Sequence, residues 1–196
     1  MNDKTAAFYN SLSFVYPIID VILKPQKRQL FNEVDNVREG VLLEIGVGNG
    51  SHLSQYRKHN VIGIDTSEAM LNIARKNRTP NIELIEMSGE ALLFDDQFFD
   101  YVVLSHVIAV VGNAEQLLKE VHRVLKSQGQ IFILNHFTPD NWLRHIDHSF
   151  EWIAKSLHFK SVFHIQDIQA LKQFTLRKEV SVGMAQYFKL LIYEKQ

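Results

Sequence analysis

The sequence predicts an α/β domain built on a doubly wound, mostly parallel sheet of seven strands that ends in an antiparallel hairpin. Three observations carry this. From Gly40 onward, short β-branched or aliphatic runs alternate with segments of helical period, the pattern of parallel strands joined by crossover helices. One of these strands runs directly into alternate glycines at Gly46, Gly48 and Gly50, as a ligand-binding turn at the end of a parallel strand requires. Late in the chain, Phe174–Val182 and Tyr187–Glu194 alternate as strands around Gly183-Met184-Ala185. A parallel pair needs a crossover of a dozen or more residues, so that short connection joins antiparallel neighbours.

Taken in order, the first five strands are expected at Val41–Ile45, Val61–Ile64, Ile82–Met87, Tyr101–Ser105 and Gln130–Leu134. Helices are expected at Ser51–Lys58, at Glu68–Lys76 behind a Thr66 or Ser67 cap, and at Ala114–Leu125. The last is entered from Asn113 and closed by Lys126 and Gly129. The first 40 residues read as one or two helices packed over the sheet, and Pro139 to His158 as helical and aromatic-rich. No repeat, low-complexity tract or Gly/Ser/Pro linker marks a boundary, so a single domain is expected over 1–196. Within it, 1–40 form a helical cap, 41–135 a cofactor-binding core, and 136–196 acceptor-side helices with the terminal hairpin.

With 196 residues, 46% hydrophobic and 22% charged, the chain has the composition of a globular protein large enough for one core. A formal net charge of −1 gives no reason to expect nucleic acid as a partner. The absence of cysteine excludes disulfides, thiolate metal sites and cysteine nucleophiles. His145 and His148 have the i,i+3 spacing of helical ligands, but no third ligand accompanies them, and no metal is expected. The start of the chain shows no secretory signal. The longest apolar stretch, Phe14 to Leu23, contains Pro17 and Asp20 and is shorter than a bilayer span of roughly 20 residues. A cytoplasmic protein is expected.

The glycine turn does not have dinucleotide spacing: Ser51 stands where the third glycine of a pyrophosphate cradle belongs, and Gly50 comes one residue early. Glu44, an acid in an otherwise apolar strand, has a reason to be there if the ligand is cationic, or if it caps backbone amides. Asp65 ends the second strand nineteen residues after Gly46, where a carboxylate can accept both hydroxyls of a ribose; a helix cap is the plainer alternative. Features suited to a ligand thus stand at two adjacent strand ends.

At this point the chain resembles the class I S-adenosylmethionine-dependent methyltransferases, which have a Rossmann-like fold. Glu44-Ile-Gly-Val-Gly-Asn-Gly50 is similar to their first motif and Gly63-Ile-Asp-Thr-Ser-Glu-Ala-Met70 to their second. Leu93-Phe-Asp-Asp-Gln-Phe-Phe-Asp100 resembles the approach to strand four, and Leu118 to Gly129 the helix and turn before strand five. The resemblance covers roughly residues 40 to 135 and implies S-adenosylmethionine as cofactor. It places Gly46 and Gly48 around the methionine part, Asp65 at the ribose and Met70 against the adenine, with Glu44, Val47 and Thr66 also in the cofactor site. Ser88 stands where many members carry an acid for the adenine amino group, with the Gly89 amide and Glu90 beside it; Ser105 completes the cofactor set.

Tyr9 and Tyr16 lie on one helix face, either as core packing or as ligand contacts. They resemble the aromatic-acid repeat with which quinone and phosphatidylethanolamine methyltransferases close over the cofactor, although Asn10 and Pro17 replace its acids. Phe14 to Arg28 joins apolar residues to Lys24, Lys27 and Arg28, a composition suited equally to an anionic bilayer surface and to a buried helix with a solvated turn. With the stretch Trp152 to Lys160, this segment most resembles the bacterial phosphatidylethanolamine N-methyltransferases. That resemblance implies a phospholipid acceptor and peripheral contact with the inner membrane face.

Methyl transfer to an amine is an in-line displacement that needs alignment and a proton acceptor. The candidates are water, His106 and the tyrosines Tyr9 and Tyr16; His106 serves equally well as a structural hydrogen-bond partner. Lys27, Arg28 and Arg144 are the cations available to a headgroup phosphate. Two other readings remain: a methyltransferase of a small aromatic or quinone-like acceptor, and a non-catalytic regulator that binds S-adenosylmethionine.

Overall fold

The computed structural model describes residues 27–136, 168–182 and 188–196. Residues 27–36 are helical (α1), followed by β1 (Val41–Ile45), a 3-10 turn (Leu53–Gln55), β2 (Asn60–Asp65), α2 (Glu68–Ala74) and β3 (Ile82–Glu86). Then come β4 (Phe99–Ser105), α3 (Ala114–Val124), β5 (Leu125–His136), a 3-10 turn (Gln169–Gln173), β6 (Phe174–Val182) and β7 (Phe188–Lys195). The strands form one sheet in the order β3-β2-β1-β4-β5-β7-β6. The first five are parallel. β7 lies antiparallel between β5 and β6, as the short connection before it required.

Both faces of the sheet are covered, which is why the central runs Val41–Ile45, 102–104 and 131–134 of β1, β4 and β5 are apolar except at Glu44. On one face Leu43, Ile45, Leu104, Ile131 and Ile133 pack with Leu117, Val121 and Val124 of α3. On the other, Leu42, Val103 and Phe132 pack with Leu30, Phe31 and Val34 of α1 and Leu71 and Ala74 of α2. The period of two along each strand sends alternate side chains to these two layers. The helix starts follow local chemistry: the Ser67 hydroxyl accepts from Met70 N ahead of α2, and the Asn113 side chain accepts from Gln116 N ahead of α3.

Two expected elements differ. Ser51–Lys58 forms only the turn at Leu53–Gln55, and Tyr56 is already extended. No side chain caps its start, and a segment this short has little helical stability of its own, so burial of His52 and Tyr56 decides its path. Gly129 does not close α3. The chain passes from Val124 straight into β5, and the left-handed residue there is Gln128 (φ 61°). Gly129 is required for close approach instead: a Cβ would stand 2.8 Å from the Leu125 side chain and 2.9 Å from the Lys126 carbonyl. The expected segment Pro139 to His158, and residues 1–26 of the expected cap, lie outside the described residues. No helix of the described residues is long and apolar enough to cross a membrane.

Candidate active site

Ile45 stands opposite both Ile64 of β2 and Leu104 of β4, so the chain leaves all three strands at one level of the sheet. The residues that follow are Gly46, Asp65 and Ser105. From β1 the chain order runs outward in both directions, and such a switch point opens a crevice at the carboxyl ends of the strands.

The turn after β1 is left-handed at Gly46 (φ 77°), Gly48 (φ 54°) and Gly50 (φ 66°), which explains its alternate glycines. At Gly46 space forbids a side chain as well, since a Cβ would come within 2.5 Å of Val107 Cγ2. The Gly46 and Val47 amides donate to the Ile64 carbonyl at 2.7 and 3.1 Å, tying the turn to the end of β2. Asp65 completes the link. Its Oδ2 accepts from Gly48 N at 2.8 Å and its Oδ1 from Ser67 N at 2.9 Å. Burial pushes the Asp65 carboxyl above its ordinary range, the Gly48, Ser67 and Thr66 amides oppose that rise, and the Glu44 charge adds to it.

Glu44 does not cap amides. Buried to 1% exposure, its Oε1 accepts from His52 Nε2 at 2.7 Å, and its Oε2 makes no hydrogen bond among the described residues. The bond spans the mouth of the glycine turn, from the last buried acid of β1 to the first residue beyond Ser51. Phe31 of α1 lies tilted against the His52 ring (5.8 Å) and edge-on to Tyr56 (5.0 Å), so the imidazole sits in an aromatic box. Burial, with the neighbouring Glu44 carboxylate, pushes the Tyr56 hydroxyl well above its ordinary value, and it stays protonated. His52 and Tyr56 were absent from the sequence-predicted site. Their signal was a histidine and a tyrosine four residues apart directly behind the turn, readable only once that segment is known to be buried.

The other expected site residues are distributed as follows. Val47 turns its side chain into the core against Gly63, so only its backbone remains available to a ligand. Thr66 is half-buried beside Asp65, and Met70 is buried in the first turn of α2. The Ser88 hydroxyl accepts from Glu90 N, and Glu90 Oε1 accepts from Asn113 N at 2.8 Å, anchoring this loop to the start of α3. A Cβ at Gly89 would meet Ile45 and Leu117 side chains at 2.7 Å, so that glycine serves close packing. Ser105 Oγ is buried with no hydrogen bond among the described residues. His106 leaves β4 in the left-handed region (φ 60°), its amide donates to the Leu134 carbonyl at 2.8 Å, and its ring stands edge-on to Phe188. Lys27 and Arg28 open the described part of α1, Arg28 exposed. Tyr9, Tyr16, Arg144, His145 and His148 lie outside the described residues.

This arrangement fits S-adenosylmethionine. Two carboxylates, Glu44 and Asp65, flank a turn whose left-handed glycines expose backbone, which suits a ligand carrying positive charge and a ribose and repels a diphosphate.

The comparisons agree. A family model described as a methyltransferase domain matches residues 43–133. The chain is 30% identical over 168 residues to phosphatidylethanolamine N-methyltransferase of Cereibacter sphaeroides, covering 82% of this chain and 83% of that protein. It is 34% identical over 150 residues to demethylmenaquinone methyltransferase of Chlorobaculum tepidum, covering 72% of this chain but only 60% of that protein. Among solved structures, the Haloferax volcanii methyltransferase in complex with its Trm112 activator superposes with a TM-score of 0.79 over 100% of this chain and 99% of that one; at 16% identity this likeness concerns the fold. The chain therefore belongs to the class I S-adenosylmethionine-dependent methyltransferases, with S-adenosylmethionine as its methyl donor.

Proposed function

We propose that this methyltransferase N-methylates phosphatidylethanolamine at the cytoplasmic face of a membrane, as a single domain spanning 1–196. The observation that supports this reading is the likeness to a phosphatidylethanolamine N-methyltransferase over 82% of this chain and 83% of that protein, which extends beyond the cofactor motifs. S-adenosylmethionine, when bound, supplies an electrophilic methyl group on a positively charged sulfur. Asp65 accepts the ribose hydroxyls, the Gly46 and Gly48 backbone passes along the methionine part, and Met70, Ser88 and Gly89 border the adenine. His106, at the end of β4, takes the proton that the ammonium of the headgroup must lose before its nitrogen lone pair can attack; water and Tyr9 or Tyr16 are its competitors for that role. Lys27, Arg28 and Arg144 neutralise the headgroup phosphate, and the apolar-basic segment around Lys24 rests on the bilayer.

The test is transfer of a labelled methyl group to vesicles of phosphatidylethanolamine, followed by separation of mono-, di- and trimethylated lipid. Label in the lipid is the expected result, and lipid that stays unlabelled overturns the reading. A second reading, a quinone-type acceptor, is favoured by the 34% identity to a demethylmenaquinone methyltransferase. Demethylmenaquinone in the same assay decides between them.

A further inference from the structure

Asn135 is the most completely unsatisfied polar side chain of the described residues. It is 1% exposed, and neither its Oδ1 nor its Nδ2 makes a hydrogen bond among the described residues. A buried amide without partners costs several kcal/mol of desolvation in an apolar medium, so an apolar residue would serve the free protein better. The surroundings are apolar: Ile131 and Ile133 precede it on the same side of β5, and Leu134 is fully buried beside it. Its place in the fold is the carboxyl edge. β5 is the strand next to β4, Ser105 is in register with Leu134, and the His106 amide donates to the Leu134 carbonyl. Asn135 therefore stands one strand over from His106, at the level where the glycine turn and Asp65 also leave the sheet.

We infer that Asn135 is an acceptor-binding residue, whose amide oxygen receives an N–H of the amine to be methylated. Neutral and planar, the amide accepts a hydrogen bond without attracting a second proton as a carboxylate would, and so holds the amine with its lone pair free for the methyl group. The Nδ2 donor is left for a headgroup oxygen. This inference rests on the reading that the acceptor is an amine, and goes beyond it by naming the group that recognises the nitrogen.

The experiment compares wild type with Asn135→Val, Asn135→Ala and Asn135→Asp, using phosphatidylethanolamine vesicles, labelled methyl transfer, calorimetric S-adenosylmethionine binding and thermal melting. Asn135→Val is expected to raise the acceptor KM about tenfold, to leave the S-adenosylmethionine Kd within about twofold, and to melt about 2–6 °C higher than wild type. Asn135→Ala adds no bulk and gives the same split between KM and Kd if the valine variant fails to fold. Asn135→Asp keeps the oxygen acceptor, so its acceptor KM stays within about threefold of wild type, but its carboxylate holds the amine protonated and kcat falls about tenfold or more. A valine or alanine variant with wild-type acceptor KM overturns the inference while leaving the lipid reading intact. Wild-type protein that transfers no methyl to phosphatidylethanolamine overturns both.

Discussion

The two ends of the parallel strands are built on opposite terms. At the amino ends Asp100, Arg123 and Lys195 are each answered by neighbours: Asp100 accepts from Val41 N at 2.9 Å and from Lys126 Nζ at 2.7 Å. Arg123 holds the Leu92 and Phe94 carbonyls together with Asp96 and Glu120. Lys195 covers the His122 and Leu125 carbonyls where α3 ends. At the carboxyl ends the backbone is left-handed at four residues, Gly46, Gly48, Gly50 and His106, and Glu44 Oε2, Ser105 Oγ and both Asn135 amide atoms are buried without bonds among the described residues. Acidity follows the same division. Partners hold Asp100 and Glu120 below the usual carboxylate range, whereas burial lifts Asp65 above it. The amino edge is paired within the fold, whereas the carboxyl edge keeps buried polar atoms without bonds among the described residues, a departure from local stability of the kind expected where an edge serves function.

The largest effect is expected at Gly46. An alanine there would take a left-handed backbone and force its Cβ to 2.5 Å from Val107, so Gly46→Ala should lose about 2–4 kcal/mol of stability and its S-adenosylmethionine binding together. Calorimetry and thermal melting read both, and normal binding would detach the turn from the cofactor. Next comes His106, where a side chain has been kept on a backbone that favours glycine. His106→Gly and His106→Ala should both lower kcat about a hundredfold if the imidazole takes the proton, with the glycine variant about 1 kcal/mol the more stable. Unchanged kcat in both would return His106 to a purely structural place.

Asp65 gives a smaller and pH-dependent effect. Because burial raises its pKa in the folded protein, ionising it costs stability: that contribution is fully present below the unfolded pKa and is lost as pH rises through the folded one. Asp65→Asn relieves that cost but its single amide oxygen cannot accept from both the Gly48 and Ser67 amides, and it should bind S-adenosylmethionine about tenfold more weakly. In the wild type, affinity should fall on acidification at a milder pH than the ordinary carboxylate value of about 4. A calorimetric titration flat in pH down to that value would remove Asp65 from the ribose.

What could be read beforehand follows the same division. β1, β2, β4 and the hairpin were legible because period and apolar runs are local properties, and the turn because only glycine satisfies its backbone. The place of Asp65 at the end of β2, beside that turn, was legible by its distance from it. The short path of residues 51–58 was not, because it is settled by the burial of His52 and Tyr56 against Glu44 and Phe31, and Phe31 lies twenty-one residues upstream of His52. Gly129 misled for a related reason: a glycine after a helix resembles a cap, and nothing local tells that it serves an approach to Leu125. Asn135 was invisible in sequence because an asparagine at a strand end is ordinary. Only its burial without a partner sets it apart.

The smallest effect belongs to the amino edge and tests the comparison from its other side. Burial alone would raise Asp100, but the Lys126 ammonium and the Val41 amide outweigh it and hold the carboxyl low. Such a group contributes stability that is present above its unfolded pKa and lost as pH falls through the folded one. Lys126 is part-exposed, so solvent screens the pair, and Lys126→Met should cost about 1 kcal/mol or less at neutral pH. The difference from wild type should shrink toward zero in acid, where Asp100 is protonated in both proteins, and denaturant melts at several pH values measure it. S-adenosylmethionine affinity should not move, since this pair lies at the far end of β1 from the glycine turn. A loss of affinity in Lys126→Met would mean that the two edges are coupled through β1 and β4, and that the amino edge sets the geometry of the site as well as its stability.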